Sequence, residues 1–127
     1  ADRPIVLNNW EATFFNFNRR KILALARRAK KLGVEMFVLD DGWFGKRNND
    51  NAGLGDWTVN FKKLPGGIKS LARRINKIGL RFGLWFEPEM VSPDTGIFFP
   101  AITMSVFVDP RTTIRFISPT SCTSVRR

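Results

Sequence analysis

Two periods of apolar residues take turns along the first 93 positions. "PIVLNNWE", from Pro4, is a short apolar run that ends in polar and aromatic residues. From Arg19 the spacing changes, and Ile22, Leu23, Leu25, Ala26, Ala29 and Leu32 mark one helical face. The spacing predicts a helix over about 19–32, capped by Asn18 and stopped at Gly33. "VEMFVLDDGW" is a second apolar run with a polar end. After a Gly/Asn-rich loop, Ile68, Leu71, Ala72, Ile75 and Ile78 recur at helical spacing and stop at Gly79, and "LRFGLWFEPEM" supplies a third run. Three strands and two helices in strict alternation are expected.

Apolar strands alternating with amphipathic helices argue for a parallel sheet with helices packed on it. Near-continuous apolar strands are those covered on both faces. The acidic and tryptophan residues gather at the carboxyl end of each run: Asn9, Trp10 and Glu11; Asp40, Asp41 and Trp43; Trp85, Glu87 and Glu89. In parallel α/β folds that edge binds ligands. A doubly wound nucleotide-binding sheet needs a glycine fingerprint after its first strand, and "NNWEATFF" has none. A partial (β/α)8 TIM barrel fits better. Such barrels take about 250 residues, so the 127 residues supply at most about half of one. Outer strands left open predict a chain that is marginal, oligomeric or dependent on a missing remainder.

Two adjacent aspartates after an apolar strand need an explanation. Successive strand residues point to opposite faces, so Asp40 and Asp41 meet one ligand only where the strand ends and turns, as Gly42 permits. Such a pair can accept hydrogen bonds from sugar hydroxyls, act as acid and base, or ligate a hard cation. Trp10 and Trp85 favour a sugar, whose C–H faces suit a flat ring. Glu87 and Glu89 read equally as strand-end salt bridges, Asp56 and Trp57 as a lid or a structural turn, and "GKRNNDNAG" as a mobile surface loop.

Composition narrows the chemistry. There is no His and one cysteine, Cys122, so no Cys/His zinc site and no Ser/Cys–His pair exists within the chain. The lone cysteine makes a reducing cytoplasm the default compartment. No run is long and apolar enough for a membrane span. Net charge is +10, but the cations cluster on the predicted first helix, from Arg19 to Lys31, as a basic outer face. A solvated surface is the first reading of that face and a nucleic-acid partner the second. The aromatic residues lie at the rim, which points away from stacked bases.

"RPIVLNNWEATFFNFN", "LGVEMFVLDDGWFGKRNNDN", "GLGDWTVN", "KLPGGIKSLARRIN" and "GLRFGLWFEPEMVSPD" together resemble the catalytic barrel of family 36 glycoside hydrolases, the α-galactosidases. The likeness runs from about Arg3 to Asp94 and corresponds to about the first three β/α units. It implies retaining hydrolysis of terminal α-D-galactosides such as melibiose and raffinose, without a cofactor or a metal, by enzymes that are homo-oligomers at full length. Retention needs a carboxylate nucleophile and a carboxyl acid/base. On matching positions, Asp40 and Asp41 correspond to binders of galactose hydroxyls, and Trp10 and Trp85 to aromatic walls of the subsite. The nucleophile, in a Lys-aromatic-Asp motif, and the acid/base belong to later strands, so no catalytic residue is expected in this chain and the chain alone is expected to be inactive. The alternative is a non-catalytic sugar-binding or basic nucleic-acid-binding module. Residues 1–95 are thus expected to be partial barrel and 96–127 a non-homologous, irregular tail. The abrupt change of composition at Thr95–Gly96 suggests a reading-frame shift, and Ala1 in place of Met suggests a cut-out or processed piece.

Overall fold

A computed structural model describes residues 3–92 and 95; the expected tail of 96–127 lies outside the described residues. The element order is β1 (Val6–Asn8), α1 (Trp10–Thr13), α2 (Arg19–Lys31), β2 (Met36–Leu39), α3 (Gly67–Lys77) and β3 (Arg81–Leu84). The strands form one parallel sheet in the order β1-β2-β3, with Val6 opposite Met36 and Met36 opposite Arg81. The α/β class and the alternation are as expected, with one addition. Trp10 and Glu11 do not continue the first strand but open the one-turn helix α1. The cause is local: Asn8 Oδ1 accepts the Trp10 N–H at 2.7 Å, and a side-chain acceptor of this kind draws the backbone out of the ladder.

Both long helices obey their sequence signals. Asn18 caps α2 by accepting the Lys21 N–H at 3.0 Å, which satisfies one of the orphan donors of the first turn. Gly33 and Gly79 follow the two helices with φ of 85° and 87°, the left-handed conformation that ends a helix at least cost in glycine. Ile22, Leu23, Ala26 and Ala29 of α2 are buried with Leu71 and Ile75 of α3. They meet Phe37 and Leu39 of β2 in one core cluster. Leu32, at the end of the α2 stripe, is instead 81% exposed.

The sheet is asymmetric, which departs from the expectation of two covered faces. Phe37 and Leu39 are fully buried, whereas Met36 and Val38 on the alternate face are only half-buried. Gly83 of β3 opens room for them, since a Cβ there would stand 2.8 Å from Met36 Cε and 3.0 Å from Val38 Cγ2. Among the described residues only the helix side of the sheet is sealed. At the margins Ile5 before β1, Val6 within it, and Phe86, Met90 and Val91 after β3 remain exposed.

Candidate functional site

The sheet ladders run one residue past the strands and so define the carboxyl rim. Asn9 N–H donates to Val38 O at 3.4 Å, and Trp85 N–H to Leu39 O at 2.9 Å. Asp40 and Asp41 follow at once between these two flanks, 9% and 5% exposed. A plain solvated turn is therefore excluded.

Each carboxylate is held by a different set of donors. Asn9, fully buried, accepts the Asp40 N–H through its Oδ1 at 2.8 Å and donates to Thr13 Oγ1 at 2.8 Å. The Asp40 carboxylate accepts the Asn8 side-chain amide and, at 2.7 Å, the Asp41 N–H. Among the described residues all of its donors are neutral. Asp41 accepts the Gly42 N–H at 2.6 Å, and Arg47 grips it with Nε at 2.9 Å and 3.0 Å from the two oxygens and Nη2 at 2.8 Å from Oδ2. This ion pair is buried on both sides, at 6% and 7% side-chain exposure. Charge-assisted, forked contacts of this kind are the strong ones.

Arg47 corrects the expectation for "GKRNNDNAG". The guanidinium also donates from Nη1 to Asp50 O at 2.7 Å and to Ala52 O at 3.1 Å. The loop therefore winds around a buried cation, while residues 48–51 remain exposed at the surface. Composition hid this residue. The usable signal was electrostatic, since two buried adjacent carboxylates demand a nearby cation.

Lys63 completes the underside. Its Nζ donates to Gly42 O at 2.9 Å and Arg47 O at 3.2 Å and lies 5.1 Å from the Phe17 ring centroid. Burial pushes the ammonium below the usual lysine range, and the Asp41 carboxylate opposes that in part.

The aromatic residues form two groups. Trp10, half-buried, meets Phe14 and Phe15 edge-on at 5.3 Å and 5.0 Å. Trp85 lies in the other group, 6.5 Å from Trp57, which in turn meets Trp43, Phe44 and Phe86. Trp43 is buried and donates its indole N–H to Trp85 O at 3.0 Å. Asp56 and Trp57 belong to a structural turn, because Phe44 pairs with Val59 and Gly45 N–H donates to Thr58 O at 2.7 Å. Glu11 and Glu89 are exposed and Glu87 is half-buried.

Among the described residues no group of three or more His, Cys, Asp or Glu side chains is placed to hold a metal ion. No described helix is long and apolar enough to cross a membrane. Two shallow hollows lie away from the rim, one along α3 beside Arg73, Arg74 and Lys77, the other beside Lys30, Glu35 and Arg81. Neither contains a rim residue. Among the described residues the rim belongs to a sheet of three strands.

Comparison with known proteins agrees with this architecture. The melibiase family model matches residues 1–115. Over 97 residues the chain is 58% identical to α-galactosidase AgaA of Geobacillus stearothermophilus, a match that covers 76% of this chain and 13% of that enzyme. The crystal structure of AgaA superposes with a TM-score of 0.77 at 53% identity, over 88% of this chain and 16% of that one. A variant of AgaA solved in complex with raffinose gives 0.76 at 52% identity, with the same coverage. The chain therefore spans about an eighth of the length of the curated relative it matches.

Proposed function

The chain belongs to the melibiase family, and from that premise we propose that it forms about the first three β/α units of an α-galactosidase (β/α)8 barrel. Residues 1–95 are the barrel portion in this reading, and 96–127 a separate tail. The reaction of the whole enzyme is retaining hydrolysis of terminal α-D-galactosides such as raffinose, without a cofactor, in the cytoplasm. These residues contribute a wall that holds the galactose.

One observation carries the assignment of that wall. Asp40 and Asp41 stand side by side at the carboxyl rim of a parallel sheet, and the described donors to the Asp40 carboxylate, one on each oxygen, leave acceptor capacity free. A carboxylate offers about four lone-pair sites. Asp40, whose donors among the described residues are all neutral, is the direct acceptor of galactose hydroxyls. Asp41 already takes two contacts on each oxygen, so it accepts a second hydroxyl by sharing an oxygen with the Gly42 N–H or Arg47. Trp10 and Trp85, each backed by its own aromatic group, supply flat faces for the apolar side of the ring.

A retaining mechanism needs two carboxyl groups about 5–5.5 Å apart across the scissile bond, one as nucleophile and one as acid/base. Asp40 and Asp41 are neighbours on one strand end and serve binding. The family's Lys-aromatic-Asp nucleophile motif has no counterpart in these 127 residues. The chain therefore grips sugar and does not cut it. Titration of tryptophan fluorescence with D-galactose tests the grip, with Asp40→Ala as the control that abolishes the response. Turnover of a nitrophenyl α-galactoside by the purified chain, lost in Asp41→Ala, would overturn the non-catalytic part.

A further inference from the structure

We infer that Arg47, backed by Lys63, is a positioning residue for the sugar-holding carboxylates: it fixes the rotation of the Asp41 side chain and shapes the 42–53 loop into part of the rim. The inference rests on the galactose-binding reading of Asp40 and Asp41 and adds to it a residue outside that set.

The geometry is specific to a guanidinium. Nε and Nη2 take the Asp41 carboxylate, while Nη1 takes the carbonyls of Asp50 and Ala52. One planar group thus serves a side chain and two main-chain acceptors, a task for which an ammonium lacks the fork. The loop closes on the same residue from behind, since a Cβ on Gly53 would stand 2.9 Å from Arg47 N. Lys63 then joins the two ends of the turn through Gly42 O and Arg47 O. Phe15 ties the assembly to the aromatic wall, with the guanidinium carbon 5.5 Å from its ring centroid and Trp10 5.0 Å beyond. Asp41 cannot turn without breaking a forked pair that water barely reaches, so its two oxygens keep one direction. Asp40 inherits that order, because its carboxylate accepts the Asp41 N–H. Held in advance, both acceptors lose little freedom when a sugar binds.

The test uses the whole 127-residue chain, with D-galactose as the probe, tryptophan fluorescence for binding and urea unfolding for stability. Arg47→Met removes the fork and keeps the stem; Arg47→Lys keeps the charge. Lys46→Met, at the exposed neighbour, removes the same charge without touching the pair. Galactose affinity should fall at least tenfold in Arg47→Met, by an intermediate factor in Arg47→Lys, and not at all in Lys46→Met. In a stability cycle with Asp41→Asn, the double variant with Arg47→Met should lose less than the sum of the single losses. Wild-type affinity in a folded Arg47→Met or Arg47→Lys protein would overturn the positioning role while the sugar reading stands. If the unmodified chain shows no response to galactose, the sugar reading falls and the positioning role for a sugar falls with it. A non-additive cycle would then establish the clamp as purely structural, and an additive one would remove the clamp as well.

Discussion

The side-chain amide of Asn9, with no exposed surface, accepts the main-chain N–H of Asp40 across the sheet at 2.8 Å. The same amide donates to Thr13 Oγ1, so one side chain joins the first strand, the turn that carries Trp10 and the first of the two carboxylates. Asn9→Leu leaves the Asp40 N–H without an acceptor where water does not reach. The expected loss is about 1–3 kcal/mol, read as a lower urea midpoint with an unchanged slope.

Gly42 and Gly33 share a positive φ, 89° and 85°, but not their surroundings. A Cβ on Gly33 meets nothing within 4 Å, whereas one on Gly42 stands 2.9 Å from Phe15 Cδ1 and 3.4 Å from Arg47 O. Gly33→Ala should cost about 1–2 kcal/mol from backbone strain alone. Gly42→Ala should cost more by about 1–3 kcal/mol of overpacking. Equal losses in thermal or urea unfolding would mean that the Phe15 ring gives way freely.

The Trp43 indole N–H bonded to Trp85 O at 3.0 Å ties the second strand's end to the third's. Trp43→Phe keeps an aromatic ring against Phe44 and Phe86 but removes the donor and part of the buried ring. The loss should exceed the roughly 1 kcal/mol of the hydrogen bond by a cavity cost, and amide exchange at Trp85 and Phe86 should speed up while β1 is unaffected.

Lys63 makes stability depend on alkaline pH. Burial outweighs the Asp41 carboxylate and lowers the folded pKa below the unfolded value of 10.5. Between those two values the unfolded chain binds more protons than the folded one, so the stability attributable to this group rises with pH across that window and is constant below it. The difference in unfolding free energy between the wild type and Lys63→Met should therefore shift in the wild type's favour as pH climbs towards 10.5. Paired urea titrations across that range measure it, and a slope of opposite sign would contradict the burial of the ammonium.

What was legible in the sequence follows from period and punctuation. Ile22 to Ala29 and Leu71 to Ile75 recur at helical spacing between a capping Asn18 or a glycine turn and a glycine stop, so both long helices and the strands between them could be placed. Trp10 was displaced from its expected strand by one side-chain acceptor on Asn8, an event with no periodic trace. Arg47 was hidden for a similar reason. Its partner Asp41 lies six positions back across a tight turn, a separation that matches neither helix nor strand, and its neighbours have the composition of a solvated loop. The outer face of β2 was misjudged because Met36 and Val38 are as apolar as Phe37 and Leu39, and hydrophobicity alone does not say which faces are sealed.

Every described donor that steadies Asp40 and Asp41 comes from residues no later in the chain than Lys63, and each strand pairs with its immediate successor. Among the described residues the carboxylate shelf is thus a local assembly, set by its own cations and amides with no donor from β3.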